Sequence, residues 1–303
     1  MKNLLLILLC LPVIGFGQNV YIPDANFKAY LVGSTSPSGI NTNGDNEIQV
    51  SEAAAYAGTL DCNGLSISDF TGLEAFTSII KLECDVNQLT SLDVSANIAL
   101  TILKCHDNQL TSLDVSQNTA LIALWCWGNQ LTSLDVSQNT ELYNLACWGN
   151  QLTSLDVSQN GDLLELACWS NQITSLDVSQ NTTLTYVQCQ NNQLTYLNVA
   201  NGNNVLWMPT TASFNATNNP NLSCIDVDDV AWSTANWTVS DGHIDAQHYF
   251  SNDCLGTSIE EHNSIKQLLK VTDLLGREVN YTPHQILLHI YDDGSVEKKF
   301  VVE

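Results

Sequence analysis

A seven-residue phrase, LTSLDVS or a close variant, begins at Leu89, Leu110, Leu131, Leu152, Ile173 and Leu194, each 21 residues after the one before. A strict period of this length means that each unit is a small supersecondary element that cannot bury its apolar face alone, so the units must stack. Cysteines keep the same step at Cys84, Cys105, Cys126, Cys147, Cys168 and Cys189, with Cys62 one residue out of phase at the front. One unit reads Leu100, Leu103, Cys105, Asn108, Leu110, and continues through Leu113, Val115 and Asn118, so its two halves are nearly the same. Leu103 with Cys105, and Leu113 with Val115, alternate with the period of two that a short strand needs. Coils stacked in register bring strands about 4.8 Å apart, so seven coils would extend on the order of 30 to 35 Å around one continuous core. The expected fold is therefore mostly β, a solenoid with parallel sheets on two faces and little helix.

The asparagine columns, Asn87 through Asn192 and Asn97 through Asn181, are expected to turn inward at the corners and to bond the backbone of neighbouring coils. The ladder cysteines have a functional reading as metal or redox centres, but their regular inward placement makes them small buried hydrophobes. Disulfides between adjacent in-register strands would strain the preferred geometry, so all seven thiols are expected to stay free.

The LxxLxCxxNxL unit, followed by its LxxLxVxxN half, resembles the leucine-rich-repeat family, in particular the bacterial 21-residue subclass in which both halves carry a similar consensus. The resemblance covers about Leu60 to Val205. It implies a rigid β surface that binds a protein or glycan partner, with no enzymatic activity.

The flanking segments set the domain plan. Residues 1–17 have one positive charge, an apolar run from Leu4 to Ile14, and Gly15 and Gly17 around Phe16, which is the pattern of a signal peptide cleaved before Gln18. That run is far short of the roughly 20 residues that span a bilayer, so no transmembrane segment is expected, and Cys10 leaves with the signal. Residues 18–58 form an N-terminal cap, with Asp24 capping a short helix that carries Phe27, Tyr30 and Leu31. The repeats occupy 59–205. A C-terminal cap follows over 206–255, its apolar surface supplied by Leu222, Ile225, Val227, Trp232 and Trp237, and Cys224 and Cys254 form the one expected disulfide, worth about 3 kcal/mol. The tail, 256–303, holds five of the nine basic residues. Its KVTDLLGREV and LLHIYDDGSVEKKFVVE segments resemble the C-terminal sorting domain of the bacterial type IX secretion system. That implies a Gram-negative host and export by the type IX machinery, ending in release or attachment at the outer cell surface. A reading from the residues alone is an edge hairpin that closes the cap, turning at Asp292, Asp293 and Gly294.

Charge narrows the partners. Nine basic against 32 acidic side chains give a net −23, which excludes nucleic acid as a main partner, because phosphate contacts require lysine and arginine.

Three constellations are candidates for function. In NTNGDNEIQVSE, Asn41, Asn43, Asp45, Glu47 and Glu52 fall at positions 1, 3, 5, 7 and 12, the spacing of oxygen ligands for calcium. The segment resembles EF-hand and dockerin-like loops, with Ile48 as the apolar contact, Glu47 contributing its carbonyl, and Asn46 where glycine is usual. An Asx-rich turn before a helix is the alternative, so no cofactor is required and structural calcium is optional. Next, the column His106, Trp127, Trp148 and Trp169 points outward beside the inward cysteines, with Trp125 on the neighbouring column. Flat rings suit sugar faces or protein anchors, and an aromatic ladder that merely stabilises the sheet is the other reading. On the opposite face, Asp93, Asp114, Asp135, Asp156 and Asp177 form an outward column that needs relief from mutual repulsion, through hydration and Ser or Thr bonds or through bound cations. Finally, the histidines are scattered and no nucleophile motif appears, so catalysis has no support. A carbohydrate-active enzyme and a purely structural surface component stay open beside the binding protein.

Overall fold

In the computed structural model, the described residues are 17–33, 37–207, 210, 213–255, 268–272, 277–279, 286–291 and 296–300. Residues 1–16 of the expected signal peptide, and Asp292 to Gly294 where a turn is expected, lie outside them. The chain divides into two compact units, Met1–Cys254 and Leu255–Glu303.

The first unit is a solenoid. Eight strands stack in chain order: β1 (Thr59–Asp61), β2 (Lys81–Glu83), β3 (Ile102–Lys104), β4 (Ala123–Trp125), β5 (Asn144–Ala146), β6 (Glu165–Ala167), β8 (Tyr186–Gln188) and β10 (Phe214–Asn215). All pairings are parallel and in register, with Leu82, Leu103, Leu124, Leu145 and Leu166 side by side. Each of these central leucines is fully buried, as are the cysteines two residues on. The second face carries β7 (Ser175–Asp177), β9 (Tyr196–Asn198), β11 (Cys224–Asp226) and β12 (Tyr249–Ser251) in one four-stranded parallel sheet. In the earlier coils the same LTSLDVS phrase runs without regular strand, and a single backbone bond, such as Gln130 N to Leu110 O at 2.9 Å, joins each coil to the one before.

Both asparagine columns point inward. Asn129 is typical of the first: its Nδ2 donates to Cys105 O and Cys126 O at 3.0 Å each, and its Oδ1 accepts from Leu110 N at 2.9 Å. Asn139 represents the second, donating to Val115 O and Asn118 O, while its Oδ1 accepts no bond from the described residues.

The solenoid does not stop at 205, where the leucine consensus ends. β10 extends the first sheet through Phe214 beside Val187, and β11 and β12 extend the second through Ile225 beside Leu197 and Phe250 beside Ile225. The 206–255 segment is thus further coil as well as cap, because parallel pairing needs extended backbone and an inward apolar residue rather than the leucine phrase itself. The helix α3 (Val230–Asn236) and the buried Trp207, Phe214 and Trp237 close this end, with Trp237 4.2 Å from Phe214 between ring centroids.

At the front, Asp24 caps α1 (Ala25–Val32) by accepting from Asn26 N and Phe27 N, and Phe27 and Leu31 are buried. The same carboxylate reaches Ser68 N at 2.9 Å, which ties the cap to the first coil. The short α2 (Val50–Ala55) follows the Asx-rich loop. The second unit holds three antiparallel strands, β13 (Leu268–Thr272), β14 (Ile286–Tyr291) and β15 (Val296–Phe300). Among the described residues, no helix is long and apolar enough to cross a membrane.

Candidate functional site

Outward residues of the first sheet fall into three columns, because strand alternation sends every second side chain to solvent. His106, Trp127, Trp148 and Trp169 make one column. Their rings stack nearly parallel, with centroids 3.9 Å apart from His106 to Trp127, 4.2 Å from Trp127 to Trp148 and 4.1 Å from Trp148 to Trp169. The ladder therefore spends its inner faces on itself and shows edges to solvent, and each ring is half-buried by its neighbours. The stacked arrangement is that of the aromatic ladder along the sheet. His106 also stands 3.5 Å from Asp85 and 3.3 Å from Asp107.

The middle column changes size abruptly. It runs Glu83, Lys104, Trp125, then Ala146 and Ala167, then Gln188. Two alanines beside a tryptophan ladder leave a depression of about 330 Å³, lined by His106, Trp125, Trp127 and Tyr186 around a floor that includes Ala146 and Ala167. Asn144 and Glu165, from the third column, line it as well. Trp125 is held in place from two sides: its indole Nε1 donates to Asn144 Oδ1 at 2.9 Å, and Lys104 Nζ stands 4.3 Å from its ring centroid. Asn144 Nδ2 in turn donates a short bond to Glu165 Oε2. The Tyr186 phenol is pushed up, first by burial and then by the Glu165 carboxylate beside it.

Next along the sheet, Lys81 and Lys104 both grip Glu83, at 2.9 and 2.6 Å. Burial raises the pKa of Glu83, but the two ammonium groups outweigh it and hold the carboxyl below its usual range.

Of the residues singled out in the sequence, the structure joins His106, Trp125 and Trp127 around the depression, while Trp148 and Trp169 continue the ladder alongside. Sequence reasoning missed Asn144, Glu165, Tyr186 and the alanine floor. The signal was the break in the middle column from charged or large residues to Ala146 and Ala167, which becomes a cavity only when the neighbouring column is bulky.

The Asn41–Glu52 loop forms a network of its own. Glu52 Oε1 accepts from Thr42 N, Thr42 Oγ1 and Asn43 N, and its Oε2 accepts from Gln49 N, the capping box of α2. Burial raises the Glu52 pKa, and those bonds more than offset it. Glu47 pairs with Lys28 at 2.7 Å, Asp45 accepts from Glu47 N, and Asn41 Oδ1 accepts from Gly44 N. The left-handed residue is Gly44, at φ 70°, and not Asn46. Among the described residues, no group of three or more His, Cys, Asp or Glu is arranged to hold a metal ion.

The aspartate column is relieved locally. Asp93, Asp114, Asp135, Asp156 and Asp177 each accept from the amide two residues on at 2.9 Å. Serine contacts lower the pKa of Asp114, Asp135 and Asp156 through the backbone bond first. Cys224 and Cys254 are bonded to each other, and the seven ladder cysteines are free and buried. His243 and His248 are buried and accept backbone amides through Nδ1.

No protein-family model matches the chain. Over 79 residues, 26% of its length, it is 42% identical to internalin J of Listeria monocytogenes serotype 4b (strain F2365), a stretch that is 8% of that protein. Among solved structures, the functional domain of InlJ from Listeria monocytogenes, described as including a cysteine ladder, is 32% identical. The match covers 69% of this chain and 52% of that one, with a TM-score of 0.40. A leucine-rich-repeat protein of Leptospira interrogans is 24% identical over 51% of this chain and 39% of its own, with a TM-score of 0.40. With its 21-residue period and its two parallel sheets, the chain is a mostly β solenoid built from leucine-rich repeats, similar over part of its length to internalin J.

Proposed function

We propose that this protein is a non-enzymatic binding or adhesion protein, exported to the outside of a Gram-negative cell, whose contact surface is the tryptophan-bearing sheet. One observation carries the reading: the sheet face holds a depression walled by Trp125 and Trp127 and floored by alanines, on a scaffold whose leucine and cysteine columns are fully buried. Depressions that combine aromatic walls with a few convergent polar groups are where ligands and partners anchor. Glu165 is the only carboxylate among the lining residues, whereas glycoside hydrolysis uses a pair about 5 to 9.5 Å apart, so the geometry favours binding over carbohydrate cleavage.

The test is a combined protein and glycan array probed with the full chain, its Trp127→Ala variant and its Trp148→Ala variant. A binding protein loses captured signal in the variants and forms no product. Product that disappears on removing one carboxylate would identify an enzyme, and an array signal indifferent to both tryptophans would identify a structural component.

Two further roles belong to the same reading. The antiparallel strands β13 to β15 would serve as the type IX sorting signal, checked by deleting 256–303 and following whether the protein still reaches the surface of a type IX host. In the front loop, calcium would have to draw Glu52 out of its capping box, so binding would be weak, as in extracellular modules. Calorimetry that shows no heat at millimolar calcium rejects it.

A further inference from the structure

The first unit carries an unusual imbalance: among residues 17–254 there are three lysines, no arginine and 24 acidic side chains. Each lysine is already committed, Lys28 to Glu47, and Lys81 and Lys104 to Glu83. Among the described residues, Glu165 has no such cation. Its described contacts are the Asn144 amide and the neighbouring Tyr186 phenol, and it lines a depression whose other walls are the Trp125 and Trp127 indoles, the His106 imidazole, Asn144 and Tyr186. An unneutralised carboxylate beside aromatic rings and an apolar floor is complementary to a side chain with an apolar stem and a planar cationic head. Arginine fits better than lysine, since its guanidinium stacks on an indole and presents a fork to a carboxylate.

The surface flanking the third column favours a protein over a sugar. Ile122 and Tyr143, each one residue ahead of a strand residue in the third column, are 45% and 52% exposed, and Ile80 two coils before Ile122 is 48% exposed. An apolar row beside a charged anchor is the make-up of a protein interface, where arginine and aromatic anchors sit within a ring of apolar contacts.

We propose that the depression over Ala146 and Ala167 is an anchor pocket for an arginine side chain of a protein partner, stacked on Trp125, against the edge of Trp127, and paired with Glu165. The proposal rests on the reading of this sheet as the contact surface and narrows it to one partner chemistry.

The experiment follows the indole N–H resonances of the full ¹⁵N-labelled chain during titration with acetyl-Gly-Arg-Gly-amide, its lysine and citrulline counterparts, and cellohexaose. Citrulline keeps the shape of arginine and lacks the charge. The expected result is a saturable shift of the Trp125 resonance with the arginine peptide, at least fivefold weaker with citrulline, and at least fivefold weaker in Glu165→Gln. Glu141→Gln, an exposed acid outside the depression, should leave the titration unchanged, and Ala167→Leu, which fills the floor, should abolish the shift while the thermal melt stays cooperative. Equal response to arginine and citrulline, or no response to arginine, overturns the proposal. A shift with cellohexaose alone also overturns it but leaves the contact surface standing; indifference of the array signal to both tryptophans removes the surface itself.

Discussion

Each ladder thiol lies at zero exposure, and burial pushes its pKa up: well above the usual thiol range for Cys84, Cys105, Cys126, Cys147 and Cys189, and to about 12 for Cys168. The sign of the linkage follows. A group whose folded pKa lies above its unfolded value, about 8.5 for cysteine, contributes stability that is complete below that value and is lost as pH rises toward the folded one. Stability should therefore fall between about pH 8.5 and 12, by about 1.4 kcal/mol per pH unit for each thiol that ionises only on unfolding. Urea unfolding at pH 7, 9 and 10 measures the slope, and a single Cys126→Ala variant should lower it by one thiol's share, about 1.4 kcal/mol per pH unit. The same burial predicts that iodoacetamide labels none of the seven until denaturant is added, while a thiol that reacts at neutral pH in the native protein would contradict the packing.

At the level of elements, neighbouring coils are held by a full ladder on the first face and by asparagine columns at the corners, and the two columns are not equivalent. Asn129 bonds Cys105 O and Cys126 O and supplies the described bond of Leu110 N, whereas the two carbonyls bonded by Asn139, Val115 O and Asn118 O, already accept from Asn118 N and Leu121 N. Leaving buried backbone groups unpaired costs about 1 to 3 kcal/mol for each group. Asn129→Ala is expected to destabilise by about 3 kcal/mol, and Asn139→Ala by roughly 2 kcal/mol less, because a buried backbone group, Leu110 N, loses its partner only in the first case. Denaturation midpoints of the two variants, compared at equal m-value, check the order. The inward asparagines were legible from their spacing, since a solenoid corner has backbone groups to satisfy. The uneven pairing on the second face was not, because LTSLDVS is almost the same in coils that form a regular ladder there and in coils that do not.

For the whole molecule, the consequence of continuous stacking is that its C-terminal coils protect the rest. The Cys224–Cys254 bond joins β11 to the end of the first unit. Replacing both cysteines by serine should remove about 3 kcal/mol from this end. Unfolding followed by hydrogen exchange should then show β10 to β12 opening before β3 to β6, because nearest-neighbour coupling lets a repeat stack fray from a weakened end.

The periodic residues by themselves determined the coil, the inward leucines and thiols and the outward ladder, since a 21-residue period leaves one way to bury every second side chain. They also placed Trp125 and Trp127 on the right face. What only the tertiary structure decided was which ring faces remain free and where the surface is hollow. Ring orientation depends on stacking between coils, and the depression arises because Ala146 and Ala167 lie beside bulky residues contributed by other columns. The reach of the solenoid past 205 was likewise settled in three dimensions, where backbone pairing accepts Phe214 and Ile225 in place of the missing leucine phrase.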